Sequence, residues 1–96
     1  MNPKPLICQK VQITGRVQGV GYRYWMLQTA EKFAVTGWVR NTRQGTVEAV
    51  VCGNPVNVNG LLNACQQGPR FASVSSVSVI GDVNEHYEHF ETRPTV

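Results

Sequence analysis

The order in which hydrophobic periodicity changes along this chain constrains its fold more than any other feature. Apolar and polar residues alternate over 7–14, which predicts a strand. Apolar residues then recur at helical spacing, namely Tyr22, Met26, Ala30 and Phe33. Two further alternating segments, 36–41 and 46–52, are separated by a short glycine-containing turn and predict a hairpin.

The second half of the chain continues the same order with a helix and a strand. Asn54 is a favourable N-cap, Pro55 suits the first helical position, and Gly68-Pro69 is expected to end the helix. Its apolar residues fall at i, i+3, i+4 and i+7, namely Val58, Leu61, Leu62 and Cys65. A fourth strand is predicted around Val77, and a short fifth is left open around Phe90 because Pro94 follows it.

This β-α-β-β-α-β order is typical of the ferredoxin-like split β-α-β sandwich. The fold class is α+β, with an antiparallel sheet that carries both helices on one face and leaves the other face open. In that topology the third strand lies between the first and the second. The end of the first strand then lies beside the hairpin turn, so the loop after it approaches Asn41.

Length and composition are those of one small globular domain that can bury a core. With 96 residues, of which 42% are hydrophobic and 16% charged, we expect a single domain over 1–96. The apolar runs are far shorter than the roughly 20 residues that cross a bilayer. Residues 1–5 are not followed by an apolar segment, so no secretory signal is predicted and a cytoplasmic location is expected.

The charged residues and the cysteines exclude several kinds of site. The net charge of the chain is +3, and its nine Lys and Arg residues are scattered along the sequence. This distribution suits a small anionic substrate and lacks the basic stripe of a nucleic-acid binder. The three cysteines are too widely spaced for a zinc-binding pair. His86 and His89 lie three residues apart among glutamates, but a solvated loop is the simpler interpretation. We therefore expect neither a metal nor a cofactor.

Residues 15–23, with the sequence GRVQGVGYR, lie between the first strand and the first helix and are the best candidate for a site. Gly19 and Gly21 allow backbone conformations in which successive amides converge on an anion. The helix N-terminus adds free N–H groups and a positive dipole end. Arg23, early in the helix, supplies a fixed charge with donors that match phosphate oxygens.

Two better-known phosphate loops are excluded by the residues of this one. It lacks the closing Gly-Lys-Ser or Gly-Lys-Thr of a Walker A motif, so nucleotide and Mg²⁺ binding are not implied. A cysteine phosphatase would place its nucleophile six residues before the arginine, where this chain has Val17. Without a nucleophile in the loop, attack by water is the simplest reaction.

With this loop, two strand motifs resemble those of the acylphosphatase family, namely Gly37-Trp38-Val39-Arg40-Asn41 and Gly45-Thr46-Val47-Glu48. Gly68-Pro69-Arg70 and the segment 72–77 extend the resemblance over nearly the whole chain. It implies that Arg23 binds the phosphoryl group and that Asn41 positions the attacking water. It also implies that the loop amides surround the phosphate, namely those of Gln18, Gly19, Val20, Gly21 and Tyr22.

The resemblance implies hydrolysis of the carboxyl-phosphate anhydride of small acyl phosphates, giving a carboxylate and inorganic phosphate. A monomer that contacts neither nucleic acid nor membrane is expected. Gln44 stands where relatives often have an acidic residue, and the carboxyl end is less strand-like than usual. Neither departure is expected to touch the site.

Two other functions are compatible with this fold but are less well supported by the sequence. The same sandwich serves RNA-recognition domains, but their aromatic residues are missing from 7–14 and 46–52. A carbamoyl-phosphate-handling or regulatory domain of a larger protein is a third interpretation, which chain length disfavours. Arg16, Arg40 and Arg43 are interpreted as solvated charges and left out of the site.

Strand geometry relates two of the cysteines. If Thr14 lies near Thr46, counting six residues back and six forward places Cys8 opposite Cys52 on the face without helices. Opposed residues are close enough for a disulfide. The sequence leaves open whether this pair forms a bridge or remains as thiols in the cell, since the cytoplasm is reducing. Cys65 is expected to stay free.

Overall fold

Seven elements follow one another in the computed structural model, which describes residues 6–96. They are β1 (Ile7–Arg16), α1 (Tyr22–Lys32), β2 (Thr36–Asn41), β3 (Val47–Gly53), α2 (Pro55–Cys65), β4 (Ser73–Asp82) and β5 (Phe90–Thr92). The predicted order is confirmed, and the strand left open around Phe90 is present. Residues 1–5, for which no secretory signal was predicted, lie outside the described part of the chain.

The strands form one sheet in the order β4-β1-β3-β2-β5. As predicted, β3 lies between β1 and β2 and is antiparallel to both. The predicted register is also confirmed, because Cys8 pairs with Cys52 and Ile13 with Val47.

The four predicted strands pair antiparallel, as expected, whereas β5, which the sequence left open, pairs in parallel with β2 and makes the sheet mixed. Strand β4 is antiparallel to β1, so it ends at the sheet end where β1 and β2 both begin. The chain then crosses to the opposite edge over residues 83–89 and enters β5 in the direction of β2. The order of the elements alone does not specify this crossing.

Both helices cover one face of the sheet and enclose the main core. The sheet contributes fully buried residues to this core, namely Val11, Ile13, Val39, Val47, Ala49 and Val51. Met26 and Ala30 of α1 and Val58 and Leu61 of α2 pack against them. Burying one such aliphatic side chain contributes about 1.5 to 3 kcal/mol.

The Asn54 side-chain oxygen accepts from the Val56 amide at 2.9 Å, which confirms the predicted cap of α2. Helix α2 ends at Cys65, before the predicted stop.

The other face is partly covered, contrary to the expectation that it is open. Trp38, Val50 and Cys52 are buried there, and Val83 and Tyr87 of the crossing segment pack on them. The Trp38 indole donates to the Tyr87 hydroxyl at 3.1 Å.

The paired cysteines lie on this second face, as the strand parity predicted. Their sulfur atoms are 2.09 Å apart, so the structure contains the Cys8–Cys52 disulfide. Cys65 is free and buried in the main core. None of the helices in residues 6–96 has the length and apolar character that crossing a membrane requires.

Candidate active site

The loop between β1 and α1 has the backbone of an anion-binding nest. Gly19 and Gly21 have φ of 71° and 80°, whereas the only non-glycine residue with positive φ in the described chain is Ala34. The sign of φ therefore alternates from Gln18 to Tyr22, which turns successive amides toward one concave side. Within residues 6–96, no amide from Gln18 to Tyr22 donates to another protein group. These donors are available to a ligand.

Helix α1 begins at this loop and strengthens its positive character. Gly21 is the N-cap and offers no side-chain acceptor, and no acidic residue lies in the first turn. The free N–H groups of that turn thus carry the positive end of the helix dipole. Arg23 lies in the same turn and forms no ion pair within the described residues. The loop, the helix end and the guanidinium together favour an anion.

Asn41 is the last residue of β2, and its backbone contacts β3 on one side and the carboxyl-terminal residue on the other. It pairs with Val47 of β3, and its carbonyl accepts from the Val96 amide at 3.3 Å. The Arg43 amide in turn donates to the Val96 carbonyl at 2.8 Å. In the described chain the Asn41 side chain has no hydrogen-bond partner, so its amide is free to bind a ligand or water.

The Gln18 side chain joins the loop to the hairpin that carries Asn41. Its Nε2 donates to the Thr42 carbonyl and to the Thr46 carbonyl, both at 2.8 Å. The hydroxyls of Thr42 and Thr46 are 2.7 Å apart across the turn. From the sequence, only the backbone amide of Gln18 was expected to take part in the site, and nothing in the local pattern indicated this side-chain contact.

A cavity of about 380 Å³ lies where these elements meet. Its lining comprises Val17, Gly19, Gly21, Tyr22, Arg23, Tyr24, Leu27, Asn41 and Thr92. The structure therefore brings Arg23 and Asn41 to one cavity, together with three of the predicted loop residues. Gln18 and Val20 are outside the lining. The Val20 side chain packs against the core, so only the backbone amide of Val20 is available to a ligand in the loop.

Four lining residues were missed by the sequence analysis. Leu27 follows Arg23 by four positions and Tyr24 by three on α1, so helical spacing is the signal that places Leu27 beside both. Val17 precedes the nest. Thr92 belongs to β5, so the expectation that the carboxyl end does not touch the site was wrong.

The other arginines lie outside the cavity lining. Arg40 donates from Nε to a Glu48 carboxylate oxygen at 2.9 Å and lies 4.5 Å from the Trp38 ring centre, on the second face of the sheet. Arg16 and Arg43 are exposed. Residues 6–96 contain no group of three or more His, Cys, Asp or Glu side chains arranged to hold a metal ion.

Tyr22 anchors the start of α1 through its hydroxyl. The phenol donates to the Cys65 carbonyl of α2 at 2.6 Å and is almost fully buried. Burial raises the pKa of Tyr22 and, separately, raises the pKa of the Cys65 thiol to about 11. Both groups are neutral at physiological pH, so they support the site without entering its chemistry.

Comparison with known proteins connects this chain to one family. The acylphosphatase family model matches residues 9–92. The acylphosphatase of Rhodopseudomonas palustris is 51% identical over 71 residues, which are 74% of this chain and 72% of the relative. That of Thermococcus kodakarensis is 47% identical over 81 residues, 84% of this chain and 89% of the relative. A solved acylphosphatase structure from Coxiella burnetii has a TM-score of 0.89 at 37% identity, covering 97% of this chain and 100% of that one.

Proposed function

The chain belongs to the acylphosphatase family and hydrolyses acyl phosphates, and we propose that it does so by direct attack of water, with Arg23 and Asn41 as its catalytic residues. The observation that supports this assignment is their position in one cavity with the nest of the loop. In this proposal the amides of Gln18 to Tyr22 and the Arg23 guanidinium bind the phosphoryl oxygens. The Asn41 amide orients water toward phosphorus.

The chemistry of the lining suits an acyl phosphate better than a phosphate monoester. An acyl phosphate releases a weakly basic carboxylate, so no strong general acid is needed. The loose transition state spreads charge over the equatorial oxygens, which fixed amides and Arg23 stabilise without reorganising. Asn41 is never ionised, so it orients the water and does not act as a base. The substrate phosphate then accepts the proton of the water.

The expected substrate range is tested by phosphate release. Acetyl phosphate should be hydrolysed, and an alkyl phosphate monoester such as glycerol 3-phosphate should be almost inert, because its strongly basic alkoxide leaving group needs an acid that this lining does not supply. The described residues that line the cavity include no carboxylate, through which proteins usually bind Mg²⁺, so chelator should change the rate little. A strict requirement for Mg²⁺ or Zn²⁺ would contradict the mechanism.

Two variants distinguish the roles of the proposed residues. Arg23→Ala should weaken phosphate binding and turnover together, whereas Asn41→Ala should chiefly lower kcat, because water alignment matters in the transition state. Competitive inhibition by inorganic phosphate should therefore persist in Asn41→Ala and weaken in Arg23→Ala. Arg43→Ala removes an exposed charge outside the lining and is the matched control. Near-normal kcat in Asn41→Ala would reduce Asn41 to a turn residue.

We also propose that the protein works as a monomer in the cytoplasm. A single chain is sufficient to supply the loop nest, Arg23 and Asn41 to the cavity. Acyl phosphates arise inside cells by phosphate transfer to carboxylates. Light scattering of the purified protein and fractionation of cells that produce it test these two points. A dimer that dissociates with loss of activity would contradict the first.

A further inference from the structure

Tyr22, the first residue of α1, connects the phosphate loop to the interior of the protein. Its backbone amide belongs to the nest, whereas its side chain is buried in the main core. Gly21 and Arg23 are its neighbours in the chain. A shift of the Tyr22 ring therefore changes the orientation of a nest amide and of the Arg23 guanidinium together.

Gly68, in the loop between α2 and β4, lies against the Tyr22 ring. A Cβ atom at this position would be 2.6 Å from Cε2 of Tyr22 and 3.3 Å from the Cβ of Ala72. Ordinary contacts of a Cβ begin at 3.4 Å, so the ring would have to move from 2.6 Å to that distance, by about 0.8 Å. The φ of Gly68, 67°, is a second reason why glycine is favoured here. Any other residue at position 68 would therefore displace the ring.

The hydroxyl end of the ring is held by the end of α2. The Tyr22 hydroxyl donates to the Cys65 carbonyl at 2.6 Å, and Cys65 is the last residue of that helix. The Gly68 amide donates to the Ala64 carbonyl at 3.0 Å, so the glycine is fixed to the same helix end. The Tyr22 ring is thus held at two points by one element. Neither Gly68 nor Cys65 is among the described residues that line the cavity.

From this arrangement we infer that Gly68 and the Tyr22 side chain are positioning residues of the phosphate site. The end of α2 holds the Tyr22 ring, and the ring holds the nest amides and Arg23 in the orientation that binds the phosphoryl group. The inference rests on the proposed function and extends it to a support outside the cavity. Since Gly68 supplies no ligand to the phosphate, its replacement should weaken phosphate binding by moving Tyr22.

The inference is tested by the inhibition constant of inorganic phosphate and by KM for acetyl phosphate. Gly68→Ala should raise both at least about tenfold, because the shift of the ring misaligns several charge-assisted hydrogen bonds to one anion. Tyr22→Phe keeps the ring and loses only the bond to Cys65, so it should raise both about two- to fivefold. In a Tyr22→Leu background, Gly68→Ala should raise them less than about twofold further, because the ring atom that its Cβ meets is absent.

Gly60→Ala is the matched control for a collision with α1. A Cβ on Gly60 of α2 would be 2.6 Å from Cε1 of Phe33, so this substitution also displaces an aromatic ring. Phe33 follows the last residue of α1 and lies roughly 16 Å along the helix from Tyr22. Whatever its effect on the urea midpoint, Gly60→Ala should leave the inhibition constant of phosphate unchanged.

The possible results distinguish this inference from the proposed function. If the unmodified protein hydrolyses no acyl phosphate, the proposed function fails. If it does and Gly68→Ala binds phosphate normally, the inference is overturned and the proposed function stands. An equal rise in Gly60→Ala, or an undiminished rise in the Tyr22→Leu background, would also overturn it, since general packing or the φ of residue 68 would then be the cause. If Gly68→Ala does not fold, Tyr22→Phe decides, and an unchanged inhibition constant there overturns the inference.

Discussion

Replacing Gln18 by alanine tests whether the phosphate loop and the Asn41 hairpin depend on a single side chain. Gln18→Ala leaves the backbone of the loop in place. It removes the two 2.8 Å hydrogen bonds from Nε2 to the Thr42 and Thr46 carbonyls. We expect the loop and hairpin to remain folded but to lose their fixed separation.

The expected loss of stability is modest, because neither carbonyl is left without a partner. The Thr42 carbonyl still accepts from the Gly45 amide at 3.1 Å, and the Thr46 carbonyl from the Thr42 amide at 3.0 Å. A hydrogen bond contributes about 0.5 to 1.5 kcal/mol net, so losing these two should cost about 1 to 3 kcal/mol.

The expected loss of activity is large even though the expected loss of stability is modest. Arg23 and the nest lie on one side of the Gln18 contact, and Asn41 lies on the other. A misplacement of about 1 Å between reacting groups costs about 100-fold, so kcat for acetyl phosphate should fall at least about tenfold. Inhibition by inorganic phosphate should change little, because the nest itself is retained.

The assay combines urea unfolding with steady-state kinetics. Gln44→Ala is the matched control, because Gln44 is an exposed glutamine of the same hairpin turn. It should keep the stability and kcat of the unmodified protein. If Gln18→Ala also kept both, the hydrogen bonds of Gln18 would not position the site and the reasoning would be wrong.

Three further predictions concern stability. The Cys8–Cys52 disulfide has a sequence separation of 44, so reduction should lower the free energy of unfolding by about 4 kcal/mol. Urea unfolding with and without dithiothreitol measures this, and unreduced, unfolded protein should show one free thiol, whereas three would refute the pairing. The folded state retains the Cys65 and Tyr22 protons because burial raises both pKa values, that of Cys65 to about 11. Stability is therefore independent of these two groups below the ordinary thiol pKa of about 8.5; above that pH the Cys65 thiol, and above the ordinary phenol pKa of about 10 also the Tyr22 phenol, lowers it by up to about 1.4 kcal/mol per pH unit for each group. Urea midpoints at neutral and alkaline pH should show the decline, and a Cys65→Ala variant that declined just as steeply would contradict the role of the thiol. Gly19→Ala meets no atom within 4 Å, so only its φ of 71° is unfavourable, and the loss should be about 1 to 2 kcal/mol in urea unfolding. An unchanged urea midpoint would show that this φ is not required.

Much of the fold and the centre of the site were predictable because they depend on local chemistry. Alternating and helical periodicity act within about ten residues, and they predicted the first four strands and both helices in their correct order. Counting from the hairpin turn predicted that Cys8 pairs with Cys52. The glycines of the loop and the early position of Arg23 predicted an anion site, because amide geometry and helix dipoles are local properties.

The remaining features depend on where distant segments meet, which only the tertiary structure decides. The crossing of residues 83–89 covers Trp38 and makes β5 parallel to β2. No periodicity specifies that path, since it depends on which sheet edge is free. That path also brings Thr92 into the cavity. Likewise, the loop after β1 approaches the hairpin, and this brings the Gln18 side chain to the Thr42 and Thr46 carbonyls. A side-chain amide can donate to any nearby carbonyl, so its partner is determined by tertiary packing and not by its neighbours in the sequence.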